Sequence, residues 1–310
     1  MSRKERCLKN SSEKGLVLIT VLLITAILVA VISEIVDAVY RYTCITASYR
    51  DGQRAASLAE GGIVLAAAGI AESMKGKSYT LFKAEDAVRI VPEGDGVLTL
   101  RVEDEQAKFN ANSIVFANGE TNMENYAAYS RLLKILGLKD ELADTLADWI
   151  DINEEPRPRG GETYDYYKRL PRPCVAKNGP MDSTDEILLA RGYKPEVYKR
   201  LSQFLTVYTD GSININTATK EVIMALSSDI TEKMAQGIIS YREKTPFTDP
   251  ADISKVAGFK TTGSTLAGGI TVKSSIFRVF SRGTVGEGVR EVEAVVNIQD
   301  GCTIYFWRQR

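Results

Sequence analysis

Nine carboxylates crowd the stretch from Asp140 to Asp165, where the bases are Arg157 and Arg159 alone. Acids at this density repel one another unless a cation compensates them or water surrounds them. Asp148 and Asp151 stand three apart at the end of an expected helix over 141–150, hence on one face. Asn153 and Glu155 follow in a loop that Pro156, Pro158, Gly160 and Gly161 turn back. Oxygen donors on such a loop suit Ca²⁺ rather than zinc or iron. The phrase Asp151-x-Asn153-x-Glu155 matches half of an EF-hand loop, but Pro156 stands where that loop needs glycine, so it is not one. The residues alone leave two readings open: a Ca²⁺ loop, or a solvated acidic helix end neutralised by Arg157 and Arg159.

Other chemistries lack their reagents. The chain has no histidine, which removes the usual general base, the Ser-His-Asp arrangement and every His-containing metal site. No P-loop, G-x-S-x-G or G-x-G-x-x-G phrase occurs in context, so the expected role is not enzymatic, with no small-molecule substrate. Lys plus Arg number 39 against 40 for Asp plus Glu, which leaves no global basic field to hold nucleic acid. Cys7, Cys44, Cys174 and Cys302 are too scattered for a metal or redox motif. In an exported chain, Cys174 and Cys302 could pair.

The N-terminus sets the class. Residues 1–15 carry Arg3, Lys4, Arg6, Lys9 and Lys14, and Leu16 to Ile32 then runs apolar without a charge. Seventeen residues at helical rise span most of a bilayer core of roughly 30 Å, and the basic flank marks the cytoplasmic side. Ser33-Glu34-Ile35-Val36-Asp37 follows, a poor signal-peptidase site. Apolar positions Ala55, Leu58, Ala59, Gly62, Ile63, Ala66 and Ile70 recur at spacings of three and four, so the helix should continue and pack one face on a sheet. Ala87 to Val91 and Val97 to Val102 read as a hairpin about Gly94-Asp95-Gly96, with Lys108 to Asn112 continuing the sheet edge. Helical signals then dominate: 126–136, 141–150, 184–190 and 195–205. Val207 to Ile215 reads extended, and strand patterning returns at 276–281 and 289–298. The helical block therefore reads as an insertion between strands of one sheet. Trp149 is expected as a core anchor, Trp307 at a sheet edge, and Tyr164, Tyr166 and Tyr167 as cover for the acidic loop.

Glu13-Lys14-Gly15 ahead of the apolar run resembles a prepilin leader. That resemblance implies cleavage by prepilin peptidase between Gly15 and Leu16, with the helix kept. Thr20 is then the fifth residue, where most pilins carry Glu to neutralise a neighbour's terminal ammonium. A buried carboxylate needs a partner, so Thr20 suggests a place with no subunit above it. Further phrases, in order, are Phe109-Asn-x-Asn112, Leu146-Ala-Asp-Trp-Ile-Asp151, Lys177-Asn-Gly-Pro-Met-Asp182, Ser212-Ile-Asn-Ile-Asn-Thr-Ala218 and Ile238-Ile-Ser-Tyr-Arg242 with Pro246-Phe247. Together they resemble the minor pseudopilin K family of bacterial type II secretion systems.

The resemblance implies an α+β, type IV pilin-like fold: a long N-terminal transmembrane helix packed on an antiparallel sheet, with an inserted helical region of two SAM-like subdomains. The expected divisions are leader 1–15, helix 16–75, sheet 76–112, helical subdomains 113–210 and 211–270, and C-terminal strands 271–310. It implies a structural Ca²⁺ near Asp148, Asp151, Asn153 and Glu155, extended by Glu162 and Asp165. It further implies a single pass through the inner membrane, N-terminus cytoplasmic and head periplasmic. The partners it implies are minor pseudopilins of the I, J and H types, and the role is to cap or initiate the periplasmic pseudopilus. A rival reading likens 213–218 with 235–249 to the helix-hairpin-helix module of membrane-anchored DNA-binding proteins. There the turn 226–231 lacks the phosphate-reaching glycine and carries Asp229, and acids and bases balance at six each from Gly211 to Gly268, against the basic surface DNA needs.

Overall fold

The computed structural model describes residues 3–81, 88–260, 263, 266, 268–299 and 301–310, with side chains of 3–14 and of 88 left aside. The leader's basic side chains and the expected strand start at Ala87 lie outside the described residues. One unbroken helix, α1, runs from Arg3 to Met74. Its apolar stretch from Leu16 to Ile32 is uncovered: the large apolar side chains there are all at least half exposed. A window of this helix has a mean hydropathy of 3.1 and none of it is buried in the head. The far half differs. Ala55, Ala59, Ile63, Ala66, Ala67 and Ile70 are buried, forming one stripe against Leu98, Leu100, Phe277, Val279, Val292, Ala294 and Val296.

That stripe lies on a five-stranded antiparallel sheet: β1 (Val88–Glu93), β2 (Gly96–Asp104), β7 (Ile276–Val285), β8 (Gly288–Asn297) and β9 (Thr303–Gln309), ordered β1-β2-β7-β8-β9. Helix and sheet approach backbone to backbone. A Cβ on Gly283 would overlap the Ala55 carbonyl oxygen, and one on Gly62 would overlap Ser281 Oγ. The β1–β2 hairpin turns at Gly94, in left-handed conformation with φ 60°, and Arg54 of α1 clamps Asp95 with Nη1 2.7 Å from Oδ2.

The chain leaves the sheet at Asp104 and returns at Ile276 on the adjacent strand, since Asp104 pairs with Phe277. The insertion holds β3 (Phe109–Asn110), α2 (Met123–Ile135), α3 (Leu142–Ile150), α4 (Pro195–Leu201), β4 (Leu205–Thr206), β5 (Ile213–Asn214), α5 (Lys220–Leu226), α6 (Glu232–Lys244) and β6 (Ile270–Thr271). Side-chain caps start three of its helices: Asn122 accepts from Asn125 N, Thr219 from Val222 N and Thr231 from Met234 N, each satisfying an otherwise orphan donor. Its buried side chains, from Phe109 to Val272, form one continuous cluster. Arg131 ties its halves, donating to the Ala225 and Leu226 carbonyls at 2.8 and 3.0 Å.

Two buried carboxylates fasten the insertion. Asp104 accepts from Ser274 Oγ and Thr217 Oγ1, both at 2.6 Å, from Asn214 Nδ2 at 3.3 Å and from Gln106 N at 2.8 Å. Burial raises its carboxyl pKa despite these bonds. For Glu105 burial pushes the same way, but Lys108 and Arg278 outweigh it and hold the carboxyl at about 2. Arg278 also meets Glu293 at 2.5 Å, Glu293 meets Arg308 at 2.5 Å, and Arg308 bonds Asp185 of the insertion.

Several expectations are corrected. Lys108 to Asn112 does not extend the sheet: Phe109 and Asn110 pair in parallel with Leu205 and Thr206, because the 3-10 turn Glu105–Ala107 redirects the chain. Thr184–Leu189 is a 3-10 turn, and the helix from Pro195 stops at Leu201 before a 3-10 turn at Ser202–Phe204. Cys174 and Cys302 are free and exposed. The first lies in a loop whose backbone bonds Tyr167 O at 3.3 Å, the second between β8 and β9, and the two thiols are unpaired in this structure.

Gly283→Val should destabilise the head by about 1–3 kcal/mol through overpacking, whereas Gly69→Ala, with open space around it, should be neutral or slightly stabilising. Urea unfolding of the two variants checks the pair; equal midpoints would contradict the close helix–sheet contact.

Candidate functional site

Helix α3 ends at Asp151, whose backbone turns extended at ψ 168°. Asp148 and Asp151 therefore share a face at the mouth of the following loop. That loop carries Glu162 back to them. Asp148 and Asp151 are fully buried and Glu162 is 1% exposed. One carboxylate oxygen from each lies within 4.8 Å of the others. Gly160 makes the approach possible, because a Cβ there would overlap Asp148 Oδ2; that same oxygen accepts from Gly161 N at 2.9 Å and Arg157 N at 3.1 Å.

Arg157 folds into the cluster. Its Nη1 donates to Asp148 Oδ1 and Asp151 Oδ2, both at 2.5 Å, and Nη2 reaches Thr121 Oγ1 at 2.7 Å. One guanidinium cannot balance three ionised carboxylates, and the deficit is two charges. The geometry reports the same deficit. Among the described residues, Asp151 Oδ1 and both Glu162 oxygens are buried with no hydrogen-bond donor, which is costly for charged acceptors. Burial, with Asp148 and Asp151 next, pushes the Glu162 carboxyl up to about 8. Burial also raises Asp148, against the opposing pull of Arg157. Ionised together, as a bound cation would require, these hard, convergent, unsatisfied oxygens carry a surplus of two negative charges, which fits a divalent, oxygen-seeking cation; without one, Glu162 holds its proton up to about pH 8.

The remaining expected ligands are placed elsewhere. Asn153 and Glu155 are exposed, and Asn153 Oδ1 accepts from Glu155 N at 2.7 Å. Asp165 is half-buried and its Oδ1 accepts from Glu162 N at 2.6 Å, holding the residue that bears the ligand. Arg159 turns outward to Asp140 at 3.5 Å. Trp149 is a core anchor at 4% exposure, edge-on to Tyr167 at 5.2 Å, with its Nε1 bonded to Glu186 at 3.0 Å. Tyr167 is buried beneath the loop, whereas Tyr164 is exposed. Arg157 neutralises the acids as one of the two sequence readings has it, but from within the cluster and not at a solvated helix end, and the loop turns back through Gly160 as expected, closely enough to leave no room for a side chain beside Asp148.

On the rod, Gly15 and Leu16 lie within α1, open on all sides. Thr20 Oγ1 donates to Leu16 O at 2.6 Å and Val17 O at 3.1 Å, so its hydroxyl is satisfied inside its own helix. The DNA-binding alternative is not supported: Arg242 is spent on the Ile215 and Ala218 carbonyls at 2.7 and 2.8 Å, and Asp229 is exposed on the turn between α5 and α6.

Two family models, both described as type II secretion system protein K, match residues 107–210 and 213–273, together spanning over half of the chain. The chain belongs to the type II secretion system protein K family. Relatives bearing that name include one from Pseudomonas aeruginosa, 27% identical with 89% of this chain and 86% of the relative covered. Another, from Aeromonas hydrophila, is 26% identical with 91% and 92% covered. Among solved structures, a chain of the GspK-GspI-GspJ complex from the type 2 secretion system of enterotoxigenic Escherichia coli matches with a TM-score of 0.72 at 19% identity. That match covers 86% of this chain and 99% of the other. It shows that this K-family chain shares the fold.

The raised Glu162 pKa gives the metal-free protein a distinctive pH response. A carboxyl that titrates near 8 when folded and near 4.3 when unfolded stabilises the fold below the lower value and loses that contribution as pH rises through the upper one. In chelator, the melting temperature should therefore fall between about pH 5 and pH 8, and Glu162→Gln should flatten that fall. A slope unchanged by the substitution would contradict the cluster's electrostatics.

Proposed function

We propose that this K-family chain is a minor pseudopilin that acts by assembly, taking the tip of a periplasmic pseudopilus and supporting protein export. The observation that carries the reading is the continuity of α1: an uncovered apolar rod from Leu16 joined without a break to a half locked under the sheet. A rod of this kind satisfies its own backbone in lipid and packs laterally with other helices. Processing between Gly15 and Leu16 by prepilin peptidase, and a single pass through the inner membrane with the head outside, follow from the basic leader and the apolar run. Thr20 supports the tip position, since its hydroxyl needs no partner and it offers no carboxylate for a subunit above. The solved complex of GspK with GspI and GspJ supports the corresponding minor pseudopilins as partners, and the resemblance to the K family adds an H-type subunit to them.

The acidic cluster is read as a structural Ca²⁺ site held by Asp148, Asp151 and Glu162, with Asp165 and Arg157 positioning them. The ion would supply the two positive charges that Arg157 leaves wanting. Millimolar Ca²⁺ should raise the melting temperature and chelator should lower it, and Asp151→Asn should remove most of the difference. Identical melts after exhaustive chelation would exclude the metal.

Assembly itself is tested in a strain lacking its own K-type subunit. Ile24→Arg with Ile27→Arg places two charges in the rod at about 2.5–3.5 kcal/mol each without touching the head. Expected results are lost export and lost co-extraction of I- and J-type subunits. Full export by this variant would refute the assembly role.

A further inference from the structure

Beyond the charge-free run, α1 continues for some distance before the head takes hold of it. Among the described side chains, Gly52 is the first buried residue of the helix. A Cβ there would press on the Arg290 guanidinium, and one on Gly288, at the start of β8, would overlap the Asp51 and Gly52 backbone. The head therefore begins at Asp51. Between it and the apolar run stand Tyr40 and Tyr42, 71% and 72% exposed. From Thr43 to Arg50 the helix is exposed but for the half-buried Ala47, a neck about 12 Å long at helical rise.

Helical rise sets heights along this rod. The basic residues up to Lys14 mark the near edge of a bilayer. Counted from Leu16, Glu34 lies at about 27 Å, Tyr40 at about 36 Å and Tyr42 at about 39 Å. A common tilt of about 20° brings the two tyrosines to about 34 and 37 Å along the membrane normal. The hydrocarbon core measures roughly 30 Å, and the headgroup zones carry the total to about 40–45 Å. The core therefore ends close to Asp37, and both tyrosines fall in the far headgroup zone. Their Cα–Cβ bonds slant toward the helix N-terminus, which sets the rings lower still. An apolar ring with a polar hydroxyl suits that zone. Arg41, between them, reaches back to Glu34 at 3.9 Å, which answers the carboxylate placed just inside the boundary.

Exposed tyrosines on a helix also suit a seam with a neighbouring helix, but a seam recurs at spacings of three and four. Tyr40 and Tyr42 are two apart, about 200° around the helix at about 100° per residue, so they face opposite sides. Aromatic side chains on opposite sides of a rod suit a plane that the rod crosses, and a lipid–water interface is such a plane. Tyr49 shares the Tyr42 face but stands about 10 Å farther along, beyond the headgroup zone. We propose that Tyr40, Arg41 and Tyr42 form a collar seated among the lipid headgroups on the head's side of the membrane. The collar sets the depth of the rod, and the neck holds the head about 12 Å clear of the lipid. This collar presupposes that α1 spans the membrane, as proposed for this chain.

The test reconstitutes the full chain in vesicles of phosphatidylcholine and phosphatidylglycerol whose acyl chains carry bromine either near the headgroup or near the bilayer centre. Tryptophan is placed singly by Ile24→Trp, Tyr40→Trp, Tyr42→Trp and Tyr49→Trp, and the emission of wild type, from Trp149 and Trp307, is subtracted. Tyr40→Trp and Tyr42→Trp should lose at least half of their added emission to the shallow bromines and less to the deep ones. Ile24→Trp should be quenched most by the deep bromines, and Tyr49→Trp by neither. Quenching of Ile24→Trp without quenching at positions 40 and 42 overturns the collar and leaves the span standing. Equal quenching at positions 42 and 49 overturns it as well, because the neck would then lie in lipid. An unquenched Ile24→Trp removes the span itself, and the collar with it. The depth-setting role is read separately from Cys44, exposed just beyond the collar. Tyr40→Leu with Tyr42→Leu should slow its alkylation by a membrane-impermeant maleimide at least fivefold as the rod sinks, and a rate within twofold of wild type contradicts that role.

Discussion

Everything in this molecule depends on one helix being held rigidly at one end and left bare at the other. The held end is set by contact between backbones. Ala55, Ala59 and Gly62 on α1 meet Gly283 and Ser281 on β7 so closely that no larger side chain fits between them. Interiors packed to that density resist sliding or tilting. The bare end extends from that contact as a continuous hydrogen-bonded rod, with its apolar side chains at least half exposed and none of them buried by the head. Exposed apolar surface on this scale demands lipid or partner helices. The head's orientation is thus coupled to whatever surrounds the rod.

The insertion poses a second mechanical problem, because a block from Glu105 to Ser275 interrupts a sheet whose neighbouring strands must still pair. The answer is polar rather than apolar. Asp104 gathers Ser274, Thr217 and Asn214 at the point of departure and return, and Glu105 gathers Lys108, Arg278 and Thr206. Buried, fully bonded carboxylates contribute geometry more than net stability. Removal of one partner would strand a charge or an acceptor in the interior. The acidic cluster does similar work within the insertion, drawing the loop 152–165 back onto α3 around Asp148.

Signals written in short stretches were legible from the residues. The apolar run after Gly15, the α1 stripe and the Gly94-Asp95 turn are dictated by local periodicity and turn chemistry, and the structure places them where that reading puts them. Asp148 and Asp151 come to one face because three residues of helix separate them. Features made by distant parts of the chain were not legible. Glu105 finds Thr206 at a separation of 101 residues and Arg278 at 173, and no local pattern announces either. Lys108 to Asn112 has strand character, but its partner is Leu205–Thr206 and not the sheet edge. Asn153 and Glu155 follow the acids in sequence yet face solvent, since the backbone turns extended at Asp151 and it is Arg157 that folds inward. The placement of Glu162 came from family resemblance alone.

On the proposed function, the apolar rod stays covalently joined to the head once the basic leader is removed. N-terminal sequencing together with the intact mass of the chain extracted from membranes of a strain with an active prepilin peptidase tests it most directly. The expected mature chain begins at Leu16 and keeps α1 from there to Met74. A chain that begins beyond Ile32, released from the membrane, would contradict it, as would a chain that retains Met1 to Gly15 while export proceeds.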